Sequence, residues 1–242
     1  MKIIQATLWM YGIALRRSWE CVTKNWVVSC APLAYGVALS LVTILVARLG
    51  FVGGILLAVA FQACVSSGLH LVENMVRVNR ANFNDFLRGF SVYLWELLTV
   101  AFILWIPMRL AAIGLSSVPN GGIIYFGIQI ALYVLLNPLP EFIYQTRTTG
   151  IGLLSASYYF IVENWVEWLL PNVILTAAGF FVLETLGSLG AFLPAALQFF
   201  IVFFGLGLCL TYFMVFRGFL FAELNGTNRR SRVYRYEARS EP

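Results

Sequence analysis

Acidic side chains inside apolar stretches are the residues of this sequence that could carry chemistry. His70, the only histidine, precedes Glu73 by three residues, and Arg77 follows Glu73 by four. Residues at these spacings share one face of a helix. An acid beside a histidine within a membrane can relay a proton or hold an ion. The alternative, which the spacing favours, is an ion pair from which Arg77 reaches toward the lipid headgroups.

Three further charged residues lie in other apolar stretches. Glu96 and Arg109 are thirteen residues apart, about 20 Å along a helix, so they cannot pair within that helix. We expect Glu184, on a later stretch, to meet Arg109 in an ion pair between two helices. The alternative is a path for a substrate or an ion.

The segment "NPLPE" (137–141) interrupts another apolar stretch with two prolines. Prolines free backbone carbonyl groups, and Glu141 adds a carboxylate, which is how broken transporter helices coordinate cations. A helix that simply ends at the membrane interface is the commoner explanation, and we favour it here.

Patterns typical of metal, nucleotide and nucleophile chemistry are missing from the sequence. No H-E-x-x-H, phosphate-binding glycine loop, G-x-S-x-G or C-x-x-C motif occurs. The four cysteines lie in or beside apolar stretches and are predicted to be small core residues: Cys21, Cys30, Cys64 and Cys209. The sequence therefore predicts no catalytic residue, no cofactor and no metal, and a protein that is not an enzyme.

The elements that position these residues follow from composition. Hydrophobic residues make up 60% of the chain and charged residues 11%, against roughly 25% charged in soluble domains. About 20 apolar residues of helix cross a bilayer. Six stretches are long enough: 26–47, 52–76, 91–116, 121–144, 165–186 and 189–224. We predict an all-α integral membrane protein with six transmembrane helices in one domain (1–225), preceded by an N-terminal interfacial amphipathic helix.

The positions of the cations predict the orientation in the membrane. With the N-terminus inside, only Arg48 and Arg109 of the sixteen Lys and Arg residues fall near the outer ends of the stretches. The positive-inside rule then places both termini in the cytoplasm. We expect the protein to lie in the inner (cytoplasmic) membrane.

The basic tail (226–242) alternates arginine with tyrosine. Its arginines are Arg229, Arg230, Arg232, Arg235 and Arg239. Each cation near the surface adds about 1 kcal/mol of attraction to anionic lipid. We favour a disordered tail that only fixes the topology; a tail that binds anionic headgroups or an acidic partner is the alternative.

The chain repeats itself at a fixed offset, which brings residue 18 onto residue 157. The matched pairs include Ser18 with Ser157, Asn25 with Asn164, Trp26 with Trp165, Pro32 with Pro171, Gly68 with Gly207 and Met75 with Met214. We predict a parallel duplication of units 18–76 and 157–215, with a hairpin (91–144) inserted between them. His70 and Glu73 match Cys209 and Tyr212, so the duplication does not repeat their chemistry.

The segments "KNWVVSCAPL" (24–33) and "ENWVEWLLPN" (163–172) form the entries to the two units. Aromatic residues at these entries are predicted to anchor the chain at the membrane interface: Trp19, Trp26, Tyr158, Trp165 and Trp168. Asn25 and Asn164 are predicted to cap or bend the passage into each crossing. Glu167 must be solvated, protonated or partnered, and the candidate partners are Arg147 and another protein.

Small residues recur in "GFVGG" (50–54), "NGGIIYFG" (120–127) and "GLGLC" (205–209). They allow helices to approach closely, either within this chain or against another protein.

At Ser18–Pro32 and Ser157–Pro171 the chain resembles bacterial six-helix membrane proteins of largely unassigned function. This group includes the YciC-like proteins and the membrane domain found beside some glycerophosphodiester phosphodiesterases. The shared pattern is a serine, an aromatic or apolar spacer and an Asn-Trp pair ahead of a crossing. The resemblance implies the fold, and it transfers no catalytic residue.

Two kinds of function fit these observations. The first is a non-catalytic scaffold, anchor or subunit of a larger membrane assembly, in contact with lipid and with other membrane subunits or a second copy, but not with nucleic acid. The second is a transporter or channel-like protein that uses His70, Glu73, Glu96 or Glu141 along a polar path.

Overall fold

The computed structural model describes residues 2–190 and 192–240, and within these ranges it contains helices and no strand. The helices are α1 (Lys2–Lys24), α2 (Ala31–Val46), α3 (Gly50–Val78), α4 (Phe83–Val92), α5 (Leu94–Leu115), α6 (Gly121–Leu135), α7 (Leu139–Thr146), α8 (Gly150–Gly190), α9 (Ala195–Leu224) and α10 (Arg229–Ser240). Short 3-10 helices at Trp26–Cys30 and Ala47–Leu49 flank α2.

Five helical segments of the described chain are long and apolar enough to cross a membrane. They are Trp26–Val78, Leu94–Leu115, Gly121–Thr146, Gly150–Gly190 and Ala195–Leu224. This confirms the prediction of an all-helical chain with segments long and apolar enough to cross a membrane. The first segment has 53 residues and contains both α2 and α3.

Helices α2 and α3 form a hairpin. Gly50 at the turn has a positive φ of 54°, a conformation that costs glycine little. The two helices pack against each other. A Cβ added at Gly53 would lie 2.3 Å from the Val46 carbonyl oxygen, so glycine is required where α3 leaves the turn.

Helix α4 is separate from the crossing that follows it, whereas the apolar pattern placed residues 91 and 92 in that crossing. Asn82 caps α4 in a reciprocal arrangement with Asp85. The Ser66 and Ser67 hydroxyls of α3 donate hydrogen bonds to the carbonyls of Gly89 (2.6 Å) and Phe86 (2.8 Å). These bonds fasten α4 along α3.

Two bends occur where the chain enters α2 and the second half of α8. Asn25 has φ −117° and ψ 31°, and Asn164, inside α8, has φ −127° and ψ 21°. Each Nδ2 donates to the carbonyl four residues earlier, at Cys21 (2.9 Å) and Phe160 (3.3 Å). The two asparagines thus use the same local structure to turn the chain.

The buried core lies at one end of the bundle, here called the core end. It is formed by α1, α7, the C-terminal parts of α3 and α9 and the N-terminal part of α8. Trp168, Tyr144, Phe216 and Phe221 are among its largest fully buried side chains. Toward the opposite end, apolar side chains face outward, among them Phe51, 84% exposed. A bilayer accommodates such a surface, and water does not.

The basic tail forms helix α10 and packs along α1, so the prediction of a disordered tail is wrong for residues 229–240. The Lys2 ammonium lies 2.7 Å from a Glu237 carboxylate oxygen, and the Trp9 and Tyr236 rings meet edge to face at 5.9 Å. The N-terminal and C-terminal helices therefore lie together.

Candidate functional site

Among the residues that the structure describes, three carboxylates are buried at the core end: Glu73, Glu141 and Glu167, exposed by 5%, 0% and 5%. Burying a charge is costly unless the charge is paired and hydrogen-bonded. Each of the three carboxylates lies against an arginine of the same chain. These three clusters are the candidate functional site of the protein.

The Glu141 cluster is the most deeply buried. Arg217 Nε donates to Glu141 Oε1 at 2.7 Å and Nη2 donates to Oε2 at 2.8 Å. This is a bidentate ion pair, in which the planar guanidinium donates to both carboxylate oxygens. The break before α7 supplies a further acceptor, because the Asn137 carbonyl accepts from Arg217 Nη2 at 2.6 Å. The proline segment therefore presents its carboxylate and its free carbonyl to an arginine of α9.

Aromatic rings complete this cluster. Arg217 Cζ lies 5.2 Å from the Trp168 ring centroid and 5.5 Å from that of Phe213, within the range of a cation–π interaction. The Trp168 indole N–H donates to Asn137 Oδ1 at 2.9 Å. The prediction that Trp168 anchors the chain at the interface is wrong, because its side chain is fully buried.

The other four predicted anchors have exposed side chains. Their exposed fractions are 65% for Trp19, 56% for Trp26, 46% for Tyr158 and 59% for Trp165.

The Glu73 cluster joins three parts of the chain. Glu73 Oε1 lies 3.2 Å from Arg77 Nη1, and Oε2 lies 3.3 Å from His70 Nδ1. The Tyr93 hydroxyl donates a hydrogen bond to Oε2. Arg77 also donates to the carbonyls of Tyr144 (2.8 Å) and Gln145 (3.0 Å) near the end of α7. The pair on α3 thereby fastens the start of α5 and the last turn of α7.

The Glu167 cluster connects the second bend to the tail. Arg229 donates to both carboxylate oxygens of Glu167, at 2.8 and 3.3 Å. An Arg232 nitrogen lies 3.8 Å from the same carboxylate, and Arg232 donates to Asn164 Oδ1 at 3.1 Å. Arg147 is not the partner that we expected, because it caps α7 as an exposed residue.

Helix α1 also contacts this cluster. The Tyr11 hydroxyl donates to the Glu167 backbone carbonyl at 2.9 Å. Burial, with a further contribution from the Glu167 carboxylate, raises the pKa of Tyr11 to about 12. The phenol is therefore neutral and able to donate near pH 7.

Of the remaining tail cations, Arg235 lies 3.3 Å from Glu223. Arg230 is exposed and has no hydrogen bond or ion pair to the part of the chain that the structure describes. The Arg239 side chain lies outside the described residues.

The predicted ion pair between Arg109 and Glu184 is wrong. Both side chains are exposed, and no salt bridge joins them within residues 2–190 and 192–240. Glu96, half-buried on α5, likewise has no ion pair in the described chain. These three residues lie outside the clusters.

The cysteines and other ligating groups have ordinary surroundings. No group of three or more His, Cys, Asp or Glu side chains in the described ranges is arranged to hold a metal ion. The Cys21 thiol donates to the Met75 carbonyl at 3.2 Å, and burial raises its pKa to about 11. This thiol is protonated near pH 7 and is therefore a poor nucleophile.

The small-residue stretches differ in what they contact. A Cβ at Gly207 would lie 1.9 Å from the Ser29 carbonyl oxygen, and one at Gly205 would lie 2.5 Å from Leu186 Cδ1. Gly122 and Gly127 have open space around them. Among these, "GLGLC" is the stretch that allows distant parts of this chain to approach.

Sequence reasoning missed Arg217 and Tyr93 as members of the clusters. The sequence could have indicated Arg217, because burying an arginine inside a 30-residue apolar helix costs free energy unless the charge has a partner. Tyr93 had none, since a tyrosine at the start of an apolar stretch is ordinary at a membrane interface.

We expect Glu167→Gln to loosen α10 from the bundle. The substitution removes the carboxylate that Arg229 and Arg232 contact. Solvent screens part of the attraction between Arg229 and Glu167, because the Arg229 side chain is 54% exposed. We therefore expect α10 to lose about 1 kcal/mol of stability against local unfolding. This loss corresponds to about fivefold faster amide exchange in α10. Hydrogen exchange measured by mass spectrometry on peptides covering 229–238 checks this.

Glu163→Gln is the matched control for this experiment. Glu163 is an exposed acid one turn before Glu167, and it has no salt bridge in the described chain. Equal exchange in α10 for the two variants would contradict the assignment of Glu167 as the carboxylate that holds the tail.

Comparisons of the chain with protein-family models, with curated proteins and with solved structures found no match.

Proposed function

We propose that this protein is a six-crossing inner-membrane protein that acts without covalent chemistry, as a scaffold, anchor or subunit of a larger membrane assembly. The observation that carries the proposal is the pairing of all three carboxylates that are buried in the described part of the chain with arginines of the same chain. Charges satisfied in this way hold helices together and leave little capacity for binding a passing ion.

Six crossings follow if α2 and α3 each span the bilayer. The segment that contains them has 53 residues, about 80 Å of helix and more than twice the thickness of the hydrocarbon core. The turn at Gly50 and the packing of α2 on α3 support two crossings in this segment.

A cytoplasmic position of both termini is supported by the contacts of α10. Lys2 and Glu237 pair, so the two terminal helices lie on one side of the membrane. The core end also holds Arg77, Arg147 and the arginines of α10, and the positive-inside rule assigns such an end to the cytoplasm.

A duplicated architecture is supported by the two bends. Asn25 and Asn164 are a matched pair of the sequence repeat, and their backbone angles are similar. They also make the same hydrogen bond to the carbonyl four residues earlier. The proposal includes a relationship to the YciC-like proteins, on the Asn-Trp pair and proline of each unit.

A photo-crosslinking experiment tests the role as a subunit. A photoreactive amino acid is placed at exposed apolar positions of different helices, such as Phe102 and Phe180, which are 63% and 70% exposed. Cells that normally make the protein are irradiated, and the adducts are identified by mass spectrometry. We expect a protein adduct of defined mass from one contiguous set of positions.

Buried Phe216, 0% exposed, is the control position and should give adducts only within the chain. Lipid adducts alone at every exposed position would contradict the role as a subunit.

A transporter is the second candidate, and the observation that favours it is the Glu73 cluster. Glu73 has a protonatable neighbour in His70, whose side chain is 18% exposed, together with a hydroxyl donor in Tyr93. Such a set can pass a proton. Proteoliposomes with an internal pH dye and an imposed potassium diffusion potential measure this directly.

We expect no proton flux above that of protein-free vesicles. A flux that Glu73→Gln abolishes and Glu184→Gln preserves would establish the transporter instead.

A further inference from the structure

A groove with a volume of about 330 Å³ lies beside the first bend. It runs between the start of α2 and the connection from α3 to α4. Its walls are mainly apolar, and they include Val27, Ala31, Ala34, Leu71, Phe83 and Phe86. A volume of this size is typical of sites that bind part of an organic ligand.

The two asparagines of the groove are occupied by contacts within the chain, whereas its lysine is not. Asn25 donates to the carbonyls of Cys21 and Asn79, at 2.9 and 3.3 Å, and its Oδ1 accepts from the Ala81 N–H at 3.0 Å. The Asn82 side chain caps α4. Lys24 is exposed at the groove and has no hydrogen bond or ion pair with the described part of the chain.

The position of the groove matches the level at which the chain enters the membrane. Lys24 ends α1, and the membrane-spanning segment begins two residues later at Trp26. Lys24 is thus a cation at the start of the membrane-spanning segment, with an apolar groove beside it. Anionic lipid is attracted to cations placed in this way.

We propose that this groove binds one anionic phospholipid, with the headgroup phosphate against Lys24 and an acyl chain along Val27, Ala31 and Phe86. Three tail arginines are already within reach of carboxylates of the same chain: Arg229, Arg232 and Arg235. The site does not depend on the protein being a subunit or a transporter.

The second bend offers an internal contrast. A cavity of about 400 Å³ lies there, and its polar lining includes Glu163, Asn164, Asn225 and Asn228. Glu163 is the residue that matches Lys24 in the sequence repeat. A carboxylate at the equivalent position repels a phosphate, so the proposal assigns the anionic lipid to the first bend alone.

Native mass spectrometry of the full chain, released from mixed micelles that contain phosphatidylglycerol or phosphatidylcholine, tests the proposal. We expect one phosphatidylglycerol to be retained in preference to phosphatidylcholine. Lys24→Gln should lower phosphatidylglycerol retention about fivefold, the effect of one cation near the surface, and leave phosphatidylcholine unchanged. Ala34→Leu, which fills the groove, should lower retention of both lipids.

Arg230→Gln is the matched control, because it removes an exposed cation of the tail. An equal loss of phosphatidylglycerol in Lys24→Gln and Arg230→Gln would overturn the site in favour of general surface charge. Displacement of the lipid by millimolar glycerol phosphate would also overturn it, since a phosphate alone would then suffice. Unchanged thermal melting of each variant shows that a loss of lipid does not come from unfolding.

Discussion

Arg217→Gln is expected to destabilise the bundle by about 3–5 kcal/mol, the cost of leaving a buried charge without its partner. Glu141 is fully buried, and its contacts to Arg217 at 2.7 and 2.8 Å neutralise it. Without the guanidinium, the Asn137 carbonyl also loses its donor. Unfolding of the purified protein by sodium dodecyl sulfate in mixed micelles, followed by circular dichroism, measures the loss.

A double variant separates the ion pair from the packing. Glu141→Leu combined with Arg217→Met replaces both charges by apolar groups of similar size and should recover most of the lost stability, because a well-packed apolar pair commonly equals a buried ion pair. Arg109→Gln, at an exposed cation with no salt bridge in the described chain, should stay within about 0.5 kcal/mol of the parent protein. If Arg217→Gln lost no more stability than Arg109→Gln, Glu141 would not be a buried charge that depends on Arg217.

The second large effect is expected for Gly207→Ala. The added Cβ would lie 1.9 Å from the Ser29 carbonyl oxygen and 3.0 Å from its carbon, so α9 must move away from the 3-10 helix Trp26–Cys30. Overpacking of this kind costs about 3 kcal/mol, because backbone rather than a flexible side chain blocks the space. The same detergent unfolding measures the effect.

Gly68→Ala is the control for this substitution. Gly68 is the residue that matches Gly207 in the sequence repeat, and its added Cβ would only touch Tyr35 Cε2 at 3.8 Å, an ordinary contact. This variant should match the parent protein or gain up to about 1 kcal/mol from the helix propensity of alanine. Equal destabilisation by the two substitutions would contradict the close approach at Gly207.

The helices, the contacts within one helix and the two bends of this protein could be predicted from the sequence. Stretches of about 20 apolar residues predict helices that can cross a bilayer, because unpaired backbone groups are excluded from lipid. The spacing of Glu73 and Arg77 predicts their contact, since helical geometry alone brings residues four apart together. Asn25 and Asn164 are predicted as bends because an asparagine side chain can replace backbone hydrogen bonds.

The partners of the buried acids depended on the tertiary structure. Glu141 meets Arg217 across 76 residues, and Glu167 meets Arg229 across 62. The sequence leaves Glu167 to be solvated, protonated or partnered, and Arg147 is the only partner within the chain that it suggests. It cannot show that α10 folds back along α1 and brings its own arginines to the bend.

The burial of the Trp168 side chain also could not be predicted from the sequence. A tryptophan near the start of a crossing favours an interfacial position, and Trp165 is indeed 59% exposed. Trp168, three residues later, is instead fully buried and lies against Arg217. Hydrophobicity and helical spacing determine which residues form helices and share a face, whereas the neighbour of each face is decided only when the helices pack.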